Sequence, residues 1–275
     1  MRKGDWKSHP REAGGRGGPG PRRPAPRGRF RAESSPDGPA ILYGIHTVKA
    51  ALENPARHIR RLLATENALR RLREDGAPIP VEPEMVRPDA LAARLGPEAV
   101  HQGVLVEADP LPSPEVADIA DGVVLVLDQI TDPHNVGAIF RSAAAFSAAA
   151  IVTTARHSPE ATGVLAKAAS GALEYVPLVT VQNLARGLAA LKDRGFLLVG
   201  LDSSGGSDLA QTALRAPLAL VLGAEGKGLR QLTRETCDAV ARLDLPGAIK
   251  SLNVSNAAAL ALYIASRRLA VDALP

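Results

Sequence analysis

In LDQITDPHNVGAIFRSAAAFS an apolar run ends on Asp128, a turn at Asp132-Pro133 follows, and an alanine-rich helix then carries one cation, Arg141. Asn135 has the short polar side chain that caps a helix N-terminus, and we expect it to be the cap. Arg141 then lies roughly 9 Å further along the helix. Its neighbours Ala138, Ala144 and Ala145 are small and leave room for a phosphate or another polar ligand on the guanidinium. A plainer account is that Asn135 only caps and Arg141 only reaches for solvent; taken alone, this stretch favours it.

A second stretch, LVLGAEGKGL, runs an apolar strand into Gly223, Gly226 and Gly228 around Glu225. Glycines let the chain turn sharply and approach a ligand closely. The spacing is not that of a Walker loop, because Val221 stands five residues before Gly226 and Gly228 occupies the Ser/Thr position. It does not match a dinucleotide fingerprint either. A carboxylate in the turn disfavours phosphate and favours an amine or a cation. The third stretch, LDLPGAIKSLNVSNAAALALY, ends a strand at Pro246-Gly247. It places Lys250, Ser251 and Asn253 in a loop before a strong helix that Asn253, Ser255 or Asn256 can cap.

The elements that hold these loops alternate. VVLVLD, AAIVTT, VPLVTV, FLLVGLD, LALVLGAE and ARLDLP are near-continuous apolar runs, as in a parallel sheet covered on both faces. PEATGVLAKAASGALE, NLARGLAALKDRG, GLRQLTRETCD and NVSNAAALALYIASRRLA read as helices. Ligands of such α/β sheets bind beyond the carboxyl ends of the strands, where all three stretches fall. Upstream, residues 39–108 read as a smaller α/β unit. GIHTVKAALEN, NALRRLRED and PDALAARLG are its helices, IRRLLAT and QGVLVEAD its strands, and IPVEPEM is extended. Residues 109–120, with three prolines, read as a linker, and residues 121–275 form the larger unit.

Charge is uneven. Residues 1–38 hold ten Lys/Arg and four Asp/Glu, a net +6, against +4 for the whole chain, so the remainder carries −2. This Arg/Gly/Pro-rich tail cannot bury enough apolar area to order itself, and we expect it to be disordered. It either attracts polyanions or serves as a solubilising tail. Arg57, Arg60, Arg61, Arg70, Arg71 and Arg73 concentrate in the small unit. The lone cysteine, Cys237, excludes an intrachain disulfide or a cysteine-based metal site and suits a reducing, cytoplasmic setting. No apolar run reaches membrane-spanning length, and we expect no membrane or metal partner.

Together, in this order, the three stretches resemble the SpoU (TrmH-like) family of the SPOUT superfamily of RNA 2′-O-ribose methyltransferases. Within that family they look most like the 23S rRNA guanosine-2′-O-methyltransferases. YGIHTVKAALEN and HQGVLVEA resemble the start and end of that family's small L7Ae/L30e-like substrate-binding domain, so the likeness spans about residues 40–270. It implies a parallel sheet with a deep C-terminal trefoil knot, a homodimer through the catalytic domain, an RNA substrate and S-adenosylmethionine as cofactor. By motif match, the cofactor meets Gly200, Gly223, Leu245 and Leu252. Asn135 and Arg141 take the central catalytic roles, with Glu225, Ser251 and Asn253 around them. A tRNA substrate, a non-catalytic RNA-binding assembly factor and, remotely, a nucleotide hydrolase are the competing readings. Intact motifs argue against the second and the failed Walker spacing against the third.

Overall fold

The computed structural model describes residues 38–96, 98–155 and 163–272. The basic tail, apart from Gly38, and the first residues of the helix expected from Pro159 lie outside them.

The N-terminal sheet has four strands, β1 (Ala40–Tyr43), β2 (Ile59–Ala64), β3 (Pro83–Met85) and β4 (Val104–Ala108), in the order β1-β4-β2-β3. β4 runs antiparallel to both neighbours, and β3 is parallel to β2. Helices α1 (Ile45–Glu53) and α2 (Glu66–Glu74) cover one face through Val48, Leu69 and Leu72, which pack on Leu62, Val104 and Val106. Helix α3 (Pro88–Leu95) covers the other through Leu91, against Leu63 and Leu105. Side chains of one strand thus alternate between two apolar layers, as the pleat requires. β1 has no counterpart in the sequence reading.

The second sheet has seven strands: β5 (Val123–Asp128), β6 (Ala150–Thr154), β7 (Leu178–Val181), β8 (Leu197–Leu201), β9 (Ser207–Asp208), β10 (Leu218–Gly223) and β11 (Ala239–Arg242). Their order is β7-β6-β5-β10-β8-β11-β9, and every pairing is parallel. The expected parallel sheet is therefore present. Leu125, Leu127, Leu220 and Leu222 face helices α4 (Pro133–Ala145) and α8 (Val254–Asp272). Val124, Val126 and Val221 face α6 (Leu184–Asp193) on the other side. The remaining helices are α5 (Gly163–Ala169) and α7 (Gln231–Thr236). After β5 the chain adds strands on one side, and β8 then begins the other side, so the winding reverses between β5 and β10. Such reversals open a crevice at the strand ends.

Three expectations are corrected. The helix cap before Asn135 is Asp132, whose carboxylate accepts the His134 N–H at 3.0 Å, and Pro133 takes the first helical position. Proline fits there because that position has no intrahelical acceptor to lose, which moves Asn135 into the first turn. The last strand ends at Arg242 and not at Pro246, because its neighbour β9 ends at Asp208, the partner of Arg242. The expected 159–174 helix breaks at Ser170 and Gly171, both at positive φ, and resumes as a 3-10 turn at Ala172–Glu174. The expected linker is held to the sheet edge as well. Ser113 Oγ donates to the Leu178 carbonyl (2.9 Å) and accepts the Thr180 N–H (3.0 Å) of β7.

Candidate active site

β10 runs straight into the glycine turn. Gly226 and Gly228 adopt φ of 74° and 65°, which side chains rarely tolerate, and a bridge between Ala224 and Gly228 closes the turn. The Cβ of any residue replacing Gly223 would come within 2.2 Å of Gly228 backbone. The turn therefore folds onto its own strand and lifts Glu225 towards the starts of α4 and α8.

Glu225, Asn135 and Asn253 meet there. Glu225 Oε1 accepts from Asn253 Nδ2 at 2.6 Å, the Val254 backbone N–H at 3.1 Å and Asn135 Nδ2 at 3.3 Å. Asn253 Nδ2 also reaches Asn135 Oδ1 at 2.9 Å. The backbone orients these amides. Asn253 Oδ1 accepts the Ser255 N–H at 2.9 Å as the cap of α8, so its nitrogen must face Glu225 and Asn135. Asn135 then presents its oxygen to Asn253 and its nitrogen to the carboxylate. A carboxylate at the N-terminus of a 19-residue helix is also favoured by the helix dipole. Glu225 Oε2 makes no hydrogen bond among the described residues.

Two further acids hold the far end of the turn. Asp128, fully buried at the end of β5, takes the Arg230 Nε at 2.6 Å and its backbone N–H at 3.2 Å. Asp202, just beyond β8, takes the Ser204 N–H (2.9 Å), the Ser204 hydroxyl (2.7 Å) and Arg234 (2.7 Å). Burial alone would raise the Asp202 carboxyl, but Ser204 and Arg234 outweigh it and hold the group down at about 2. The sequence reading missed both acids as part of the site. Their signal was a carboxylate closing an apolar strand, where a buried charge must find a partner.

A cleft of about 660 Å³ opens beside this cluster. Gly223, Glu225, Leu245, Ser251, Leu252 and Asn253 line it, with Asp202 and Lys250 at its walls. Lys250 Nζ donates to the Leu245 carbonyl at 2.7 Å and closes the loop between them. Seven of the nine predicted site residues thus converge, Asn135 through its hydrogen bonds and six as lining. Gly200 does not line the cleft. It lies within β8, where a Cβ would meet Leu229 Cδ1 at 2.7 Å and Cys237 Sγ at 3.1 Å. Arg141 stands apart as well. It is exposed on α4 and makes no hydrogen bond or ion pair among the described residues.

The six arginines singled out in the small unit divide. Arg57 is buried on Glu174 (2.6 Å), Arg60 pairs with Asp109 (2.5 Å), and Arg61 pairs with Glu84 (2.7 Å) and Glu107 (3.3 Å). Only Arg70, Arg71 and Arg73, all on α2, remain exposed with no ion pair shorter than 3.8 Å among the described residues.

The SpoU rRNA Methylase family model matches residues 122–263, the stretch that contains the whole cluster and its cleft. The chain belongs to this family. A second model, described as RNA 2′-O ribose methyltransferase substrate binding, matches residues 41–114. Among SpoU relatives, the 23S rRNA (guanosine-2′-O-)-methyltransferase RlmB of Vibrio cholerae is 37% identical over 83% of this chain and 96% of its own length. The RlmB of Pseudomonas aeruginosa is 38% identical over 81% and 94%. Among solved structures, the SpoU methyltransferase AviRb from Streptomyces viridochromogenes in complex with AdoMet superposes with a TM-score of 0.70 at 26% identity. That match covers 84% of this chain and 90% of AviRb. A TrmH-family protein from Porphyromonas gingivalis gives 0.71 at 26% identity, over 83% and 90%.

Proposed function

We propose that this SpoU protein transfers a methyl group from S-adenosylmethionine to a ribose 2′-hydroxyl of ribosomal RNA, on a guanosine of 23S rRNA. The observation that carries this reading is the Asn135–Glu225–Asn253 cluster at the edge of the strand-end cleft, in a chain whose full-length relatives are named for that reaction. The donor set fits the cofactor. Leu245 and Leu252 offer aliphatic faces to an adenine ring, and the free Oε2 of Glu225 is an acceptor for a cationic group. When bound, S-adenosylmethionine supplies an electrophilic methyl on a sulfonium.

The chain's own residues do the rest. Asn135 and Asn253, locked by their mutual hydrogen bond, orient Glu225 and present a polar edge to the ribose. Ser251 shapes the cleft wall. An arginine keeps its proton at neutral pH, so Arg141 acts as a cation: standing apart from the cleft in the single chain, it meets the substrate where the homodimer brings α4 beside a cleft, and there it holds an RNA phosphate and stabilises the alkoxide that develops on the 2′-oxygen. Gly223, Leu245 and Leu252 hold the cofactor, and Gly200 lies within β8 against Leu229 and Cys237, outside the cleft lining.

The same reading assigns residues 39–108 to RNA binding, residues 109–120 to a link and residues 121–275 to catalysis. The α2 arginines provide the phosphate contacts. Exposed Ile249, Leu260 and Tyr263 support a homodimer through the catalytic part. The path of residues 243–253 back to the Glu225 turn supports the trefoil knot of the SPOUT fold. An rRNA substrate and a lone free thiol suit the cytoplasm. Among the described residues, no helix is long and apolar enough to cross a membrane, and no cluster of His, Cys, Asp or Glu could hold a metal ion.

The test is transfer of labelled methyl from S-adenosylmethionine to transcripts of large-subunit rRNA and of tRNA. Incorporation into rRNA alone is expected. Incorporation into tRNA alone, or into neither, contradicts the proposal.

A further inference from the structure

The two sheets share one compact unit, and a buried ion pair sits where they join. Arg57 follows α1, and Glu174 ends the 3-10 turn after α5. Their side chains are 5% and 2% exposed. Arg57 Nη2 donates to Glu174 Oε1 at 2.6 Å and its Nε to Oε2 at 3.1 Å, the two-pronged geometry of an arginine–carboxylate fork. Asn54 Nδ2 adds a third donor to Oε2 at 2.8 Å, and Arg57 Nη1 caps the Asp109 carbonyl at 2.8 Å, where β4 leaves the small sheet. Every nitrogen of the guanidinium is therefore used, Nε and Nη2 across the junction and Nη1 on the end of the small sheet.

Packing around the pair is close. Thr47 Oγ1 donates to the Ala166 carbonyl at 3.2 Å, and Ala166 is built into the core of the small sheet. At Gly171, φ is +89°, and a Cβ would come within 2.6 Å of Ala50 Cβ, so this residue lets α1 seat directly on the turn that carries Glu174. Lys167 lies over the Tyr43 ring at 5.8 Å.

We infer that Arg57 and Glu174 are a positioning pair: they fix the exposed arginines of α2 at one distance and angle from the Asn135–Glu225–Asn253 cleft. The inference rests on the methyltransferase reading and deepens it by substrate class. A small unit held in this way acts as a ruler. The substrate is then an RNA whose fold presents a phosphate surface to α2 and a ribose to the cleft at the same time. Fixing the two contact sites relative to each other raises the effective concentration of the second once the first has bound. A fork is suited to this task because it resists rotation, as a lysine point charge does not.

Glu174→Ala removes the fork and strands Arg57. The pair shares its junction with Ala166 and Leu173, which pack into the small-sheet core, so Glu174→Ala loosens the junction and hydrates Arg57 while the central cores of the two sheets stay folded. The experiment compares wild type, Glu174→Ala and the exchanged pair Arg57→Glu/Glu174→Arg. The substrates are a full large-subunit rRNA transcript and a short stem-loop cut from around its methylated nucleotide. Cofactor affinity by calorimetry and small-angle X-ray scattering accompany the kinetics.

For Glu174→Ala we expect KM on the full transcript to rise about tenfold or more, with kcat, cofactor affinity and stem-loop kinetics within about twofold. The radius of gyration should increase, and the exchanged pair should restore KM and radius towards wild type. An unchanged KM on the transcript, or equal losses on transcript and stem-loop, overturns the inference. If the wild type methylates neither RNA, the methyltransferase reading itself has failed; the scattering then decides the junction alone, and an unchanged profile for Glu174→Ala overturns the pair's holding role.

Discussion

Asn253 Nδ2 lies 2.6 Å from Glu225 Oε1, and the same side chain's Oδ1 caps α8 through the Ser255 N–H. One residue therefore starts the last helix and fixes the carboxylate of the glycine turn. Asn253→Asp separates the two roles. Aspartate caps as well as asparagine, but it cannot donate, and it sets a second carboxylate against Glu225. Helix content by circular dichroism should stay unchanged. Methyl transfer should fall about 10²-fold, the scale expected when reacting groups are misplaced by an ångström.

Arg141 is exposed and makes no hydrogen bond or ion pair among the described residues, so its removal carries little structural cost. Arg141→Ala should leave the melting temperature and cofactor affinity near wild type. It should lower kcat about 10²-fold, the lower end of what losing one stabilising group at a developing oxyanion costs. Retained activity in steady-state assays would remove Arg141 from the mechanism.

Asp202 links stability to pH. Its carboxyl is held down at about 2 in the folded chain, against an unfolded value of about 3.9. A lowered carboxyl contributes stability above the unfolded value and loses it as pH falls through the folded one. The urea midpoint should therefore drop between about pH 4 and pH 2, and Asp202→Asn should flatten that part of the profile. Equal slopes in both proteins would contradict the assignment.

Cys237 is predicted to be inert. Burial first, and the neighbouring Asp238 second, push its thiol up to about 11, so almost no thiolate exists at neutral pH. Ellman's reagent at pH 8 should label the native protein slowly and the urea-unfolded protein at once. Rapid native labelling would mean that the packing of Leu229 and Gly200 around this thiol is looser than described.

The legible part of this chain was the part written in local pattern. VVLVLD and LALVLG carry no alternation because both their faces are buried, and they became the central strands β5 and β10. AILY was too short a run before Gly44 to read as a strand, and Ser207–Asp208 joins the sheet only because β11 lies beside it. Asn135, Glu225 and Asn253 were identifiable as types, but their contacts span 90, 118 and 28 residues. No spacing rule reports such distances. Arg57 shows the same limit from the other side. The sequence groups it with five other arginines in one basic concentration, whereas its partner Glu174, 117 residues away, buries it.

The most direct test maps the product. Large-subunit rRNA transcript would be incubated with S-adenosylmethionine and wild-type protein or Asn135→Ala, then digested and sequenced by mass spectrometry. The account predicts one 2′-O-methylguanosine with wild type and its loss with the variant. A methyl group found on a base, or an identical product from Asn135→Ala, would contradict it.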